Sequence, residues 1–186
     1  MIKLVNGRGQ LGEEIRKKIQ NWYAKKDVYI YHTWDPWHRD AQTQEGEYKK
    51  FVDFVQSNSS DRIILISTCS QNEDYYVRFK HMAESFLISK CKDCLVIRLP
   101  NLVGNKGILK RFKDGTALPY GNIELLTLAS AAEKIIDLIS YDGLVKTFSI
   151  KGEEVSAVLI NEIIKKTVAC PIGIDNDKEA VGDETR

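Results

Sequence analysis

Three stretches of this 186-residue chain carry residue types that could do chemistry together. Gly7-Arg8-Gly9-Gln10-Leu11-Gly12 has the GxGxxG spacing and directly follows the strand-like run Ile2-Lys3-Leu4-Val5. There the first glycine permits a tight turn. The second lets backbone approach a pyrophosphate, and the third lets a helix pack closely on the strand. N–H groups at the start of that helix would meet phosphate charge. Gly7, Gly9, Gln10, Leu11 and Gly12 are therefore candidate phosphate-binding residues, with a glycine-rich turn that holds no ligand as the competing reading.

Ser67-Thr68-Cys69-Ser70 ends the most apolar run of the chain, and Tyr76-Val77-Arg78-Phe79-Lys80 opens a helical stretch soon after. Residues four apart share a helix face, so Lys80 would lie one turn from Tyr76. An ammonium held there favours the phenolate and draws the tyrosine down from about 10 toward working pH. Tyr76 is thus a candidate acid/base for an alcohol or ketone, with Thr68 or Ser70 hydrogen-bonding the same substrate oxygen. The alternative is that Tyr76 packs inward with Phe79 and Phe86 while Lys80 is a solvated charge.

Two further stretches are less specific. Trp34-Asp35-Pro36-Trp37-His38-Arg39 puts aromatic rings and charges after a strand. Trp34 and His38 could contact a base or sugar there, or the segment is a surface loop or dimer contact. Cys91-Lys92-Asp93-Cys94 has CxxC spacing, but no second pair or nearby histidine completes a four-ligand set, so no metal site is assigned. Together with Cys69 and Cys170 these thiols are too sparse for a disulfide scaffold.

The elements needed to position these residues can be read from periodicity. Ile15, Ile19, Trp22 and Tyr23 recur at helical spacing after the glycines, Val28-Tyr29-Ile30-Tyr31 reads as a strand, and Tyr48, Phe51, Val52 and Val55 share a helix face. Arg62 to Ser67 is an apolar, β-branched strand expected to be central. Phe79, Met82, Ala83, Phe86 and Leu87 mark the inner face of the next helix, and Leu95 to Leu99 makes another strand. Alternating strands and helices predict a parallel sheet, helices on both faces, with every strand C-terminus on one ligand-binding edge. Beyond Pro100 the pattern loosens, then gives a strand over Ile123 to Leu128, a helix with Ile135, Ile136 and Ile139, a short strand at Thr147 to Ile150, and a last helix. The expected organisation is a core over 1–103, a smaller region over 104–168 on the same domain, and a disordered tail over 169–186.

The glycine turn and the Tyr-Lys pair, in this order on these elements, resemble the extended short-chain dehydrogenase/reductases, a Rossmann-fold family of nucleotide-sugar epimerases, dehydratases and reductases. Val96-Ile97-Arg98-Leu99-Pro100-Asn101-Leu102-Val103-Gly104 is similar to the family's strand and loop leading into its substrate region. The resemblance covers residues 1 to about 168. It implies NAD or NADP as cofactor, with Gly7, Gly9 and Gly12 on its phosphates. It implies Tyr76 for proton transfer, Lys80 for the nicotinamide ribose and the tyrosine pKa, Thr68 as third catalytic hydroxyl, and Asn101 near a nucleotide sugar or other small-molecule substrate.

The chain departs from that pattern in one place. Between the first helix and the Arg62 strand there is room for only one strand and one helix, so the second and third strands of the full fold are expected to be missing. Asp27 precedes its strand rather than ending it, which leaves no acidic residue to grip the adenosine ribose. NAD or NADP binding is weakened accordingly. The first strand becomes a sheet edge, which invites a homo-oligomer. A non-catalytic relative that serves as a nucleotide-binding or protein-interaction scaffold is the alternative.

Composition narrows the rest. Lys and Arg total 27 against 26 Asp and Glu, so no overall positive field exists to attract nucleic acid or an anionic membrane. The longest apolar runs are far too short to span a bilayer, and no signal-peptide pattern opens the chain; a cytoplasmic protein is expected.

Overall fold

The computed structural model describes residues 1–5, 7, 9–20, 27–104, 108–115 and 120–169. Arg8, Trp22, Tyr23 and residues 170–186 lie outside the described residues; of the tail expected to be disordered from 169, only Ala169 is described, and it ends a helix. The elements in chain order are β1 (Ile2–Val5), α1 (Gln10–Ile19), β2 (Val28–Tyr31), α2 (Ala41–Ser57), β3 (Arg62–Thr68), α3 (Tyr75–Lys90), β4 (Cys94–Leu99), β5 (Asn101–Val103), α4 (Ile108–Lys113), β6 (Asn122–Thr127), α5 (Leu128–Ile139), β7 (Thr147–Ser149), β8 (Glu153–Ser156) and α6 (Ala157–Ala169).

β1, β2, β3, β4 and β7 form one sheet in that order, with every neighbouring pair parallel. β1 is at the edge, as its sequence context predicts, and among the described residues no strand lies outside it. β3 is central because both its faces are covered. Ile64 and Ile66 join the core beneath α1 and α5, which Leu11, Ile15, Ala131 and Ile135 complete. Ile63 and Leu65 point the other way into a core with Phe51 and Val55 of α2 and Leu87 of α3. Period-two alternation thus becomes two hydrophobic layers, and burying each large aliphatic side chain contributes about 1.5–3 kcal/mol.

At Pro100 the chain leaves this sheet. β5 pairs parallel with β6 and β6 pairs antiparallel with β8, making a three-stranded sheet under α4 and α6, where Ile108, Phe112, Ala157 and Ile160 pack. α5 and β7 come later in sequence but return to the first sheet, α5 packing beside α1 on one face and β7 pairing with β4.

α3 sits differently from its hydrophobic pattern. Met82 is 41% exposed, and the buried residues are Val77, Lys80, Ala83, Glu84 and Leu87. Those positions form a stripe at helical spacing that includes two ionisable residues, and their presence inside is explained by the partners described next.

Candidate active site

The turn between β1 and α1 needs its glycines for different reasons. A Cβ on Gly7 would collide with the Leu4 side chain, and one on Gly12 would collide with the Gly7 carbonyl, so helix and strand approach as closely as backbone allows. Gly9, at the N-cap of α1, has nothing within 4 Å of where its Cβ would be. Its open side faces a cleft of about 890 Å³ beyond the C-terminal ends of the strands. The Arg16 guanidinium donates to the Gly7 carbonyl and ties α1 to the turn.

That cleft gathers most of the residues singled out by spacing. Gly9, Gln10 and Leu11 line it from α1, Thr68 and Ser70 from the end of β3, Tyr76 and Lys80 from α3, and Asn101 from the start of β5. Gly7 and Gly12 do not line it; they shape the turn from behind. The Thr68 hydroxyl accepts from the Ser70 N–H at 3.1 Å, a turn that leaves both hydroxyls on the cleft wall. His38 is not brought in: its side chain is 73% exposed and its Nδ1 lies 2.8 Å from Asp35 Oδ2. Trp34 lines the cleft as part of its wall. It is buried, and its Nε1 donates to Gln44 Oε1 at 2.7 Å. Gln44, fully buried, donates in turn to the Asp35 and His38 carbonyls and so pins the whole loop. The exposed aromatic of the loop is Trp37.

Lys80 is buried, donates from Nζ to the Ile66 carbonyl at 2.8 Å, and lies 4.5 Å from the centre of the Trp34 ring. Burial pulls its ammonium down to about 7, opposed by the carboxylates of Glu84 and Glu47. One turn further on, Glu84 accepts from Ser67 Oγ at 2.5 Å and takes a two-pronged bond from Arg98, with Nη2 at 2.5 Å. Burial pushes the Tyr76 phenol up to about 12; Arg39 pulls it down and Asp74 pushes it further up. The cation against the Tyr76 ring is Arg39, with Cζ 4.7 Å from the ring centre, while the Lys80 ammonium is held on the Ile66 carbonyl and the Trp34 ring.

Sequence reasoning missed several residues here. His32, at the end of β2, lines the cleft with its Nε2 buried and unpartnered; burial, with Lys80 and Arg16 nearby, lowers it to about 4. Lys110 and Arg111 of α4 line the cleft as well. The signal for His32 was its place directly after the end of β2. Glu84 had one too, being four residues beyond Lys80. Among the described residues no group of His, Cys, Asp or Glu could hold a metal ion, and no helix is long and apolar enough to cross a membrane.

No protein-family model and no curated protein sequence matches the chain. Solved structures do. A dTDP-4-dehydrorhamnose reductase from Bacillus anthracis, in complex with NADP, superimposes with a TM-score of 0.69 at 10% identity, over 91% of this chain and 81% of that one. A UDP-N-acetylglucosamine 4-epimerase from Bacillus cereus gives 0.62 at 15% identity over 88% and 84%. The Bordetella bronchiseptica enzyme WbmG, in complex with NAD and UDP, gives 0.59 at 16% identity over 92% and 79%. Over about nine-tenths of its length this chain has the Rossmann-like fold of the extended short-chain dehydrogenase/reductases.

Proposed function

We propose that the cleft holds a nicotinamide nucleotide, NAD or NADP, by its phosphates at the start of α1, and reversibly oxidises or reduces a carbon of a nucleotide-linked or related sugar. One observation carries this reading: a single cleft gathers the open Gly9 helix start, the Thr68 and Ser70 hydroxyls, Tyr76, Lys80 and Asn101. The complexes of its structural neighbours with NADP, NAD and UDP support it.

The phosphate end fits, since Gly9 leaves room at the start of α1, where a helix N-terminus favours an anion. The adenosine end fits less well. Among the described residues no strand lies outside β1, and the Asp27 carboxylate is taken by the Met1 amino group at 2.9 Å and by Lys3 at 2.6 Å. This supports the loss of the second and third strands of the full fold, and a weak grip on the adenosine half. When bound, the nicotinamide supplies or accepts the hydride. Tyr76 Oη then donates a proton to the carbonyl oxygen during reduction, or takes one from the hydroxyl during oxidation. Thr68 or Ser70 hydrogen-bonds the same oxygen, Lys80 orients the cofactor ribose, and Asn101 holds the sugar. Lys110 and Arg111 add positive charge on the side where an anionic nucleotide carrier would lie.

A non-catalytic scaffold is the second reading, favoured by Lys80 being engaged with the Ile66 carbonyl and by the raised phenol of Tyr76. The test is reduction of dTDP- and UDP-linked keto sugars with NADH or NADPH, followed by loss of the reduced nicotinamide's absorbance. The enzyme reading expects turnover that Tyr76→Phe lowers by about 100- to 10,000-fold with the melting temperature unchanged. Turnover at the parental rate in Tyr76→Phe would contradict the site assignment, and no turnover on any such sugar would favour the scaffold.

A further inference from the structure

We propose that Arg39 is the positioning residue of Tyr76: it supplies the cation that faces the phenol, the role that the Tyr-Lys spacing would give to Lys80. The proposal rests on the proton-transfer role given to Tyr76 above.

The geometry fixes Arg39 from three directions. Its Nε donates to the Pro36 carbonyl at 3.1 Å, its Nη1 donates to Asp74 Oδ2 at 2.5 Å, and its guanidinium lies against the Tyr76 ring with Cζ 4.7 Å from the centroid. Two helix starts meet at this residue. Arg39 directly precedes Asp40, whose carboxylate accepts from the Thr43 N–H at 2.9 Å and caps α2. Asp74 caps α3 through Oδ1, which accepts from the Val77 N–H at 2.9 Å. The guanidinium therefore bridges the loop after β2 to the helix that carries Tyr76, and it stands on the wall of the cleft. A cation against an aromatic face attracts the ring quadrupole, and attracts a phenolate more strongly.

Lys80 is committed elsewhere. Its ammonium donates to the Ile66 carbonyl and stacks on Trp34, and it makes no hydrogen bond to Tyr76. The charged groups that bear on the phenol are Arg39 from the loop and Asp74 from the cap of its own helix, of opposite sign; Glu47 of α2 and Glu84 act on Lys80 instead. Because Asp74 offsets part of the Arg39 charge, the expected influence of Arg39 is about one pH unit, at the lower end for a cation this close.

The test needs no substrate. Protein containing 3-fluorotyrosine, whose phenol is more acidic, is titrated by ¹⁹F NMR within the range where the fold persists, and the resonance missing from Tyr76→Phe reports position 76. Arg39→Gln is expected to move that midpoint up by about one pH unit, and Arg39→Lys to recover most of the shift. Asp74→Asn, which keeps an acceptor at the cap, should move it down. Lys80→Met should move it less than Arg39→Gln does. An unchanged midpoint in Arg39→Gln, or a larger shift in Lys80→Met, would overturn the proposal. Since no nucleotide or sugar is present, either result is independent of whether the chain turns over, and a larger Lys80 effect would leave the proposed function standing.

Discussion

His32 and the glycine turn give the sharpest consequences of single residues. A histidine in the unfolded chain titrates near 6.5, but folded His32 holds off its proton until about 4. Between those values the unfolded state binds a proton that the folded state refuses. Stability should therefore fall as pH drops from 6.5 to 4, by up to about 3 kcal/mol from this residue. Urea unfolding across that range should show the slope, and His32→Gln should flatten it; an unchanged slope would place the titration elsewhere. At the turn, Gly12→Ala should destabilise by about 1–3 kcal/mol because its Cβ meets the Gly7 carbonyl. Gly9→Ala should stay within about 0.5 kcal/mol, having open space and an ordinary φ of −88°. Equal effects at the two sites would mean the turn is built differently. These glycines were legible in the sequence because a turn is a local demand. Arg39 was not, because the residues that give it meaning, Asp74 and Tyr76, are more than thirty positions away.

α3 shows what an element can hide. Tyr76 and Lys80 both line the cleft and Phe79 packs against the core as its spacing predicts, yet hydrophobicity alone turned Met82 inward, while the helix actually buries Lys80 and Glu84. No residue count could reveal this, because the partners that make those charges tolerable come from β3 and β4: the Ile66 carbonyl, Ser67 and Arg98. Removing one member of such a pair leaves the other without its counter-charge. Glu84→Gln should cost on the order of 2 kcal/mol, less than for a fully buried pair because Arg98 is a third exposed. Chemical denaturation checks this, and a change below about 0.5 kcal/mol would show that Arg98 finds water instead. The strands were easier. β1 to β4 follow the expected order because a buried parallel sheet is written as apolar, β-branched runs. The second sheet was only partly foreseen, since β5 and β8 are short and bury few residues.

Over the whole molecule charge nearly cancels, at a net +1, while the cleft collects Arg39, Lys80, Lys110 and Arg111 against Asp74 and Asp114. This local excess of cationic side chains agrees with the phosphorylated small molecule proposed above. Among the described residues the sheet ends at β1, where the adenosine of the proposed nucleotide would need a wall. Affinity should then come from the phosphate turn and the nicotinamide half. The direct measurement is thermal unfolding against increasing NADPH, NADH and reduced nicotinamide mononucleotide, in the parent and in Gly9→Val. A ligand at about 100 times its dissociation constant adds about 2.7 kcal/mol to the folded state, several degrees for a chain of this size. The expected result is weak binding of all three, the mononucleotide within a few-fold of the dinucleotides, with every shift lost in Gly9→Val. Micromolar binding of a dinucleotide far ahead of the mononucleotide would contradict the missing adenosine wall, and no shift with any of them would contradict the nucleotide site itself.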